Sequence, residues 1–510
     1  MLLSGDEYRE SLRRYSPTVY LDGARVDSVA DEPRLAPGVA AVGVTYDFAK
    51  DARHHPLMVA KEQSSGAEVN RFLHINRSSE DLLAKLEAVR LVCQRVGCAQ
   101  RYLSQDALNA IHQATHRMES DGIGDVHQRF LAYLHRVQAE DLTLGAAMTD
   151  AKGDRSKRPH QQSNANAFVH IRERRTDGIV ISGTKAIVTG APYMHELLVM
   201  PGRNMVAEDE AFAVCCAVPV DAEGLTIVTR PAGRPGEDTA IFSGRYGQST
   251  GVCLFEDVFV PWERVFMAGE WQHAQAMIQA YAGHHRHSCI GARAGFGDLL
   301  IGAALMLSEA NGLDAGGNNY LRERMVELIK IVEGFFACGV ASSTYAVVDG
   351  SGCAEPERIF ANVGKLLLST QIYDMQRIAH DLSGGLIVAL PGPEEDHNPV
   401  TAARLEELWQ GNDDIPAERR RDVARFLGDI TASDTAGWYS LISLHGGGSP
   451  AATSMEIYRS YPLEDKVALV ENLLDRGLLT SVQGDAAGGD QPGSCCPEGC
   501  QAPDAGKDPG

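Results

Sequence analysis

The stretch 281–289 reads Tyr-Ala-Gly-His-His-Arg-His-Ser-Cys, setting three histidines, an arginine and a cysteine within nine positions. Neutral imidazole binds metals and moves protons near neutral pH, and thiolate sulfur is a metal ligand as well. On a helix His285 and Cys289, at i and i+4, share a face, as do His284 and His287 at i and i+3. Three readings follow: a metal centre, the remnant of one, or the polar wall of a pocket. The pocket reading is preferred and no metal ligand is assigned. A second group, Cys495, Cys496 and Cys500, lies in a Gly/Pro/Asp-rich tail with nothing to fold around, and 476–510 is expected to be disordered.

The elements that must position these residues fall into zones. Residues 1–145 read as an N-terminal helical domain: Ser78 stands three before Asp81 in a capping-box spacing, and Leu82, Leu83, Leu86, Val89 and Cys93 recur at helical intervals. From 146 to 270 the pattern changes to short β-branched runs broken by turns, including a hairpin candidate around Asp177–Gly178, which suggests a small β-barrel domain. Cys215, Cys216 and Cys253 sit in those runs as small hydrophobes. Residues 271–475 read as a C-terminal helical bundle. The fold class is therefore α+β, and its domain order matches an acyl-CoA dehydrogenase-like arrangement.

Sixty-eight acidic against 47 basic residues give a formal charge of -21, which repels polyphosphate backbones and argues against nucleic acid as a partner. No uninterrupted apolar run reaches about 18 residues, so no membrane partner is expected. The start turns charged after Met1-Leu2-Leu3, which lacks a secretory leader's apolar core. A cytoplasmic protein acting on a small molecule is the expectation.

Six segments then occur in order: "GAAMTDAKGDRS" (145–156), "GTKAIVTGAPYMHELLVMP" (183–201), "FEDVFVPWERVF" (255–266), "YAGHHRHS" (281–288), "DLSGGLIVALP" (381–391) and "HGGGSP" (445–450). Together the chain resembles the 4-hydroxyphenylacetate 3-hydroxylase / 4-hydroxybutyryl-CoA dehydratase family of FAD enzymes over roughly residues 5–470, with its first and fourth segments closer to the dehydratase branch. The resemblance implies FAD held by Met148, Thr149, Lys152, Asp154, Arg155, Thr189, Gly446, Gly447, Gly448 and Ser449. Lys152 and Arg155 suit a diphosphate, and glycine lets backbone approach a ligand. It also implies a homotetramer, with 381–391 near subunit contacts.

In the dehydratases, the resemblance implies, three cysteines and a histidine hold a [4Fe–4S] cluster. At the matching positions this chain keeps Cys98 and His285 but has Tyr102 and Ala292 in place of the others. Two ligands will not hold a cubane, so a cluster is not expected. Cys289 stands where that branch has a catalytic tyrosine, and Thr250 and Ile442 stand where it has glutamates. The resemblance implies that the hydroxylases' phenol-binding arginine and tyrosine fall at Leu103 and Ala107 and their flavin-side histidine at Ala146, although Arg101 and Tyr102 offer similar groups in a shifted register. The site has been rebuilt, with His285, His287, Tyr102, Arg101 and Cys289 as catalytic candidates, His285 or His287 serving as base. The leading expectation is a two-component monooxygenase fed FADH₂ by a separate flavin reductase, acting on an aromatic or biosynthetic small molecule. The alternative is a cluster-free flavin-dependent dehydratase, isomerase or dehydrogenase of an acyl thioester or natural-product intermediate. A binding or assembly protein without chemistry ranks last.

Overall fold

The computed structural model describes residues 1–314 and 316–475, so the tail expected to be disordered lies outside the described residues. Ser78 Oγ accepts the Asp81 N–H at 3.3 Å and starts the helix Ser79–Val96, but the box is not reciprocal. The Asp81 carboxylate instead takes the N–H of Arg77 at 2.8 Å. Gly97, at φ 71°, ends this helix and turns the chain into the next, Tyr102–Ser120.

That second helix carries a buried polar row that ties it down. Ser104 Oγ donates to Leu144 O at 2.8 Å and accepts the Leu144 N–H at 2.9 Å, fixing the helix to the strand Leu144–Ala147. Asn109 donates to His74 O at 3.0 Å.

The strands form two open sheets. The larger has six, in the order Ala24–Arg25, Thr18–Leu21, Leu225–Thr229, Thr250–Pro261, Gly178–Thr189 and His170–Arg174. The smaller runs Val265–Ala268, Val214–Pro219, Glu196–Val199, Leu144–Ala147. Residues from both sheets, including Val19, Val188, Val199 and Cys253, share one core. This corrects the barrel expectation: among the described residues an isolated bridge, Asp150 to Lys185, joins the sheets where a barrel would need a continuous ladder. The 1–145 segment expected to be helical also contributes Thr18–Leu21 and Leu144–Ala147, which pair in parallel with Leu225–Thr229 and Glu196–Val199. The hairpin forms across 175–177, closed by Arg175 N donating to Gly178 O at 2.8 Å.

The helix Ala274–Ala310 runs through the centre of the bundle, against Ser79–Val96, Tyr102–Ser120, Asn319–Thr344 and Arg358–Leu382. Gly291 and Gly295 allow the close approach: a Cβ would lie 2.7 Å from Leu86 O at the first and 2.4 Å from Arg90 O at the second. By length and composition this helix could cross a membrane, yet 67% of its most apolar window is buried inside the protein. Its apolar surface is core. Residues 1–460 make one compact unit, and Leu463–Asp475 is a separate helix.

Candidate active site

The strand Leu144–Ala147 delivers a loop whose position is set by one buried cation. Lys185 Nζ lies 2.7 Å from Asp150 Oδ1 and donates to the carbonyls of Met148 at 2.9 Å and Met200 at 2.7 Å. The Ala186 N–H donates to Thr149 O at 2.8 Å. Burial pushes the Asp150 carboxyl upward against the pull of Lys185. Beyond this anchor the chain turns through Lys152 at φ 71° and Gly153 at φ 52°.

A second wall follows the helix Asp434–His445, which closes with Gly446 N donating to Ile442 O at 2.7 Å. Gly447 and Gly448 follow at φ 74° and 109°, in the region that favours glycine. The Arg286 Nε donates to Gly447 O at 2.8 Å and holds this turn against the central helix. Thr189 and Thr250, partners across two antiparallel strands, make the floor, and Trp438 Nε1 donates to Thr250 Oγ1 at 3.1 Å.

Between these walls lies a cavity of about 1120 Å³. That exceeds the ~300–1,000 Å³ typical of a single small ligand. Lys152, Arg155, Arg203 and Arg230 bring positive charge to its wall. Thr189, His285, Trp438 and Ile442 border both this space and a smaller one of about 40 Å³, which forms its inner end.

The inner end is built from two facing rows. Cys98, Tyr102 and Asp106 recur every four residues along one segment, and His285, Cys289 and Arg293 do the same along the central helix. Helical spacing puts His285, Cys289 and Arg293 on one face and Tyr102 and Asp106 on another, and the turn before Tyr102 brings Cys98 to the same row. Arg293 Nη2 donates to Cys98 Sγ at 3.2 Å, and Tyr102 Oη lies 3.3 Å from the same sulfur. Burial alone would raise the Cys98 thiol, but Cys93, Arg293 and Tyr102 together bring it below its ordinary value, while Cys93 rises.

At the other end of the rows, His285 Nδ1 lies 3.0 Å from Asp106 Oδ2 and its Nε2 lies 3.7 Å from Cys289 Sγ. Asp106 also receives Lys85 Nζ at 2.6 Å and Ser288 Oγ at 2.7 Å. Burial opposes a charged His285, and the Cys289 sulfur and Asp106 carboxylate outweigh it, raising the imidazole above its ordinary value. Burial also opposes a charged Cys289, and His285, Lys365 and Arg293 lower it nonetheless. Burial pushes Lys365 down to about 8.

Of the residues singled out by sequence, Met148, Thr149, Lys152, Arg155, Thr189, Gly446, Gly447, Gly448, Ser449 and His285 line the large cavity, and Tyr102 and Cys289 line its inner end. Three lie elsewhere. Asp154 turns away to accept from Ser156 Oγ at 2.7 Å. Arg101 is fully buried against Asp141 at 2.5 Å, stacked over the Tyr46 ring at 3.7 Å, where it serves packing. His287 lies 2.7 Å from Ser343 Oγ, and burial holds it well below its ordinary value, so it offers no charge and no access. His284 behaves alike: it lies 2.9 Å from Gln113 Oε1, and burial pushes it down to about 3. Thr250 and Ile442 line the cavity with no carboxylate, and Ala292 is fully buried. Among the described residues no three His, Cys, Asp or Glu side chains group as metal ligands. Asp106, Lys85, Arg286, Arg293 and Lys365 were not foreseen; the four-residue rows carried a signal for Asp106 and Arg293, whereas Lys85 and Lys365 come from other helices.

Residues 4–267 match the profile described as 4-hydroxyphenylacetate 3-hydroxylase N terminal, and 274–475 match its C-terminal counterpart. The chain belongs to the 4-hydroxyphenylacetate 3-hydroxylase family. Among its relatives, the 4-hydroxybutyryl-CoA dehydratase/vinylacetyl-CoA-Delta-isomerase of Clostridium aminobutyricum is 32% identical, over 92% of this chain and 99% of that protein. The oxygenase component of 4-hydroxyphenylacetate 3-monooxygenase from Thermus thermophilus is 25% identical, over 91% and 95%. The solved oxygen-tolerant archaeal 4-hydroxybutyryl-CoA dehydratase from N. maritimus superposes with a TM-score of 0.89 at 32% identity, covering 97% of this chain and 98% of the other. An oxygenase component complexed with FAD and 4-hydroxyphenylacetate superposes at 0.83 and 22% identity, over 94% and 99%, and shares the family fold.

Proposed function

We propose that this family member is an FAD-dependent oxidoreductase, the oxygenase half of a two-component system that takes FADH₂ from a separate flavin reductase and hydroxylates an aromatic or biosynthetic small molecule. The observation that carries it is the composite cavity of about 1120 Å³, large enough for a dinucleotide with a substrate beside it, whose inner end is closed by the Arg293–Cys98 contact. The cavity fits FAD by its donors and its glycines. Lys152, Arg155, Arg203 and Arg230 face the space a diphosphate would take, and Thr149 and Thr189 bring hydroxyls to the wall. A Cβ at Gly202 would meet Met148 O and Asp150, so glycine there lets this strand end pack against the 148–150 loop. When bound, FAD supplies the electrons that activate dioxygen.

The protein's own part is to orient substrate, exclude water and hold charge. Asp106 fixes the His285 ring, and Tyr281 stacks on it with centroids 5.3 Å apart. Because His285 is held protonated, it stabilises an anionic substrate such as a phenolate rather than removing the proton, and the neutral, walled-off His287 is not the base. A homotetramer and a cytoplasmic location complete the proposal. Val388, 94% exposed in the 381–391 segment, supports the assembly. The test is anaerobic purification with iron, sulfide and flavin analysis, then oxygen uptake with FADH₂. FAD without iron, with substrate-dependent oxygen incorporation, is the expected result; turnover without oxygen would sink the monooxygenase.

A second reading is cluster-free acid–base chemistry on an acyl thioester. The 32% identity to the dehydratase and the Asp106–His285–Cys289 chain favour it. Its sign is anaerobic conversion of a thioester by the FAD-loaded protein.

A further inference from the structure

The inner end of the cavity holds an arrangement that proton handling alone does not use. A nucleophile needs a base within reach and a third group that orients the base. Cys289 Sγ, His285 Nε2 and Asp106 Oδ2 supply them in series, at 3.7 Å and then 3.0 Å across the ring. Cys98, on the same cavity, has Arg293 and Tyr102 against its sulfur and lacks a base.

The same chamber carries buried donors and acceptors in want of a partner. Arg293, 3% exposed, has its Nη1 unpaired, as are Gln248 Oε1 and both amide atoms of Gln100. Each of these residues lines the small cavity. An unpaired buried group costs about 1–3 kcal/mol, so this end is built to receive an oxygen-bearing ligand. Leu103, Leu368, Trp438 and Ile442 give it an apolar side. Its volume of about 40 Å³ takes little more than the flat end of a carbon chain.

We propose that Cys289 is a nucleophile that adds reversibly to the β-carbon of an α,β-unsaturated carbonyl substrate, with His285 as its proton partner, Arg293 as donor to the carbonyl oxygen and Asp106 as a positioning residue. This deepens the second reading and rests on it for the choice of an acyl thioester. In the forward step the Cys289 sulfur lone pair forms the S–C bond, and the alkene π pair moves to the α-carbon as an enolate. The His285 proton then goes to that carbon. The sum is addition of S–H across C=C, with no change in oxidation state overall and no co-reactant. Return of an α-proton to His285 expels the thiolate, so the cycle permits exchange of α-protons and E/Z interconversion of the same double bond.

The charged and titratable groups around Cys289 are His285, Lys365, Arg293, Arg286, Tyr102 and Tyr281. Those cations favour the thiolate relative to that of an ordinary thiol. Incubating the full-length FAD-loaded protein with S-crotonyl-N-acetylcysteamine, and mapping adducts by peptide mass spectrometry, tests the proposal. The expected result is a Cys289 adduct of one probe mass, absent with the saturated butyryl probe and absent in Cys289→Ser. Its rate climbs less steeply from about pH 6 to 8 than that of an ordinary thiol of pKa about 8.5, which would gain about tenfold per unit. His285→Gln slows it on the order of 10²-fold and restores that rise, which a merely structural histidine would not do. Arg293→Lys, the variant more certain to fold, keeps the adduct with about tenfold slower formation, a loss of about 1.4 kcal/mol. Labelling that favours Cys98, or that is unchanged in His285→Gln, overturns the proposal. Flavin content of the same samples separates the two readings: FAD retained without a Cys289 adduct sinks the nucleophile alone, and an adduct on flavin-free protein sinks the flavin reading alone.

Discussion

The outer and inner parts of the cavity are made by different means. The outer wall is largely backbone: the Met148–Asp150 loop and the turn at Gly447–Gly448 border the space, with Lys152, Arg155, Arg203 and Arg230 adding charge. The inner end is side chain: two carboxylate, thiol, imidazole and guanidinium rows meet with little room between them. A wall of glycine and carbonyl groups accommodates a large common ligand and is broken by added bulk. A chamber of buried charges is specific, and it is broken by removing one charge, because the partner is then left uncompensated. That difference teaches where the family's shared frame stops and this chain's own chemistry starts.

The largest effect is expected at the deepest charge. Asp106→Asn leaves Lys85, whose side chain is fully buried, without its carboxylate and lowers unfolding free energy by about 3–5 kcal/mol, measured by urea denaturation. The pH dependence follows from the same group. Burial opposes the charged form, but Lys85 and His285 lower the folded Asp106 value, so its contribution is complete above the unfolded value of about 3.9. It is lost as pH falls through the folded value. Urea curves taken down the acid limb should show wild type and Asp106→Asn converging; parallel curves would mean that Asp106 carries no such charge.

The outer wall is tested next. Gly447→Val places a Cβ at φ 74° and 3.3 Å from Arg286 Cγ, which costs about 1–2 kcal/mol of strain. The purified variant should retain about a tenth of the FAD, with thermal unfolding shifted by only a few degrees. Full FAD content would show that this turn does not border the flavin. The smallest effect separates the histidines. His287→Gln removes a contact to Ser343 and costs about 1 kcal/mol, with no change in the shape of the pH–rate profile. His285→Gln changes that shape. If both variants did so, the contrast between a structural and a working imidazole would fail.

Much of the outer wall was legible because its determinants are local. A glycine run after a helix, a threonine on a strand and a lysine-bearing loop announce themselves by type and order, and Met148, Thr149, Lys152, Arg155, Thr189 and 446–449 all reach one cavity. Asp154 shows the limit of that method, since one turn of loop points it at Ser156 instead. The sheets were misjudged for a similar reason. Thr18–Leu21 is too short to stand out from helical surroundings, and its partner Leu225–Thr229 lies some two hundred residues away.

By itself, the sequence determined that Tyr102 and Asp106 share one helix face, and His285, Cys289 and Arg293 another, because helical periodicity depends only on spacing. It placed glycine at the turn of 447 and 448, which bends through positive φ, though Lys152 takes that conformation without being glycine. The tertiary structure decided which rows face each other, and therefore which groups are charged. His284, His285 and His287 are the same residue within four positions, yet burial drives the first and third down while Cys289 and Asp106 drive the second up. Desolvation and Coulomb energy depend on distance and surroundings, and both come into being when distant segments pack.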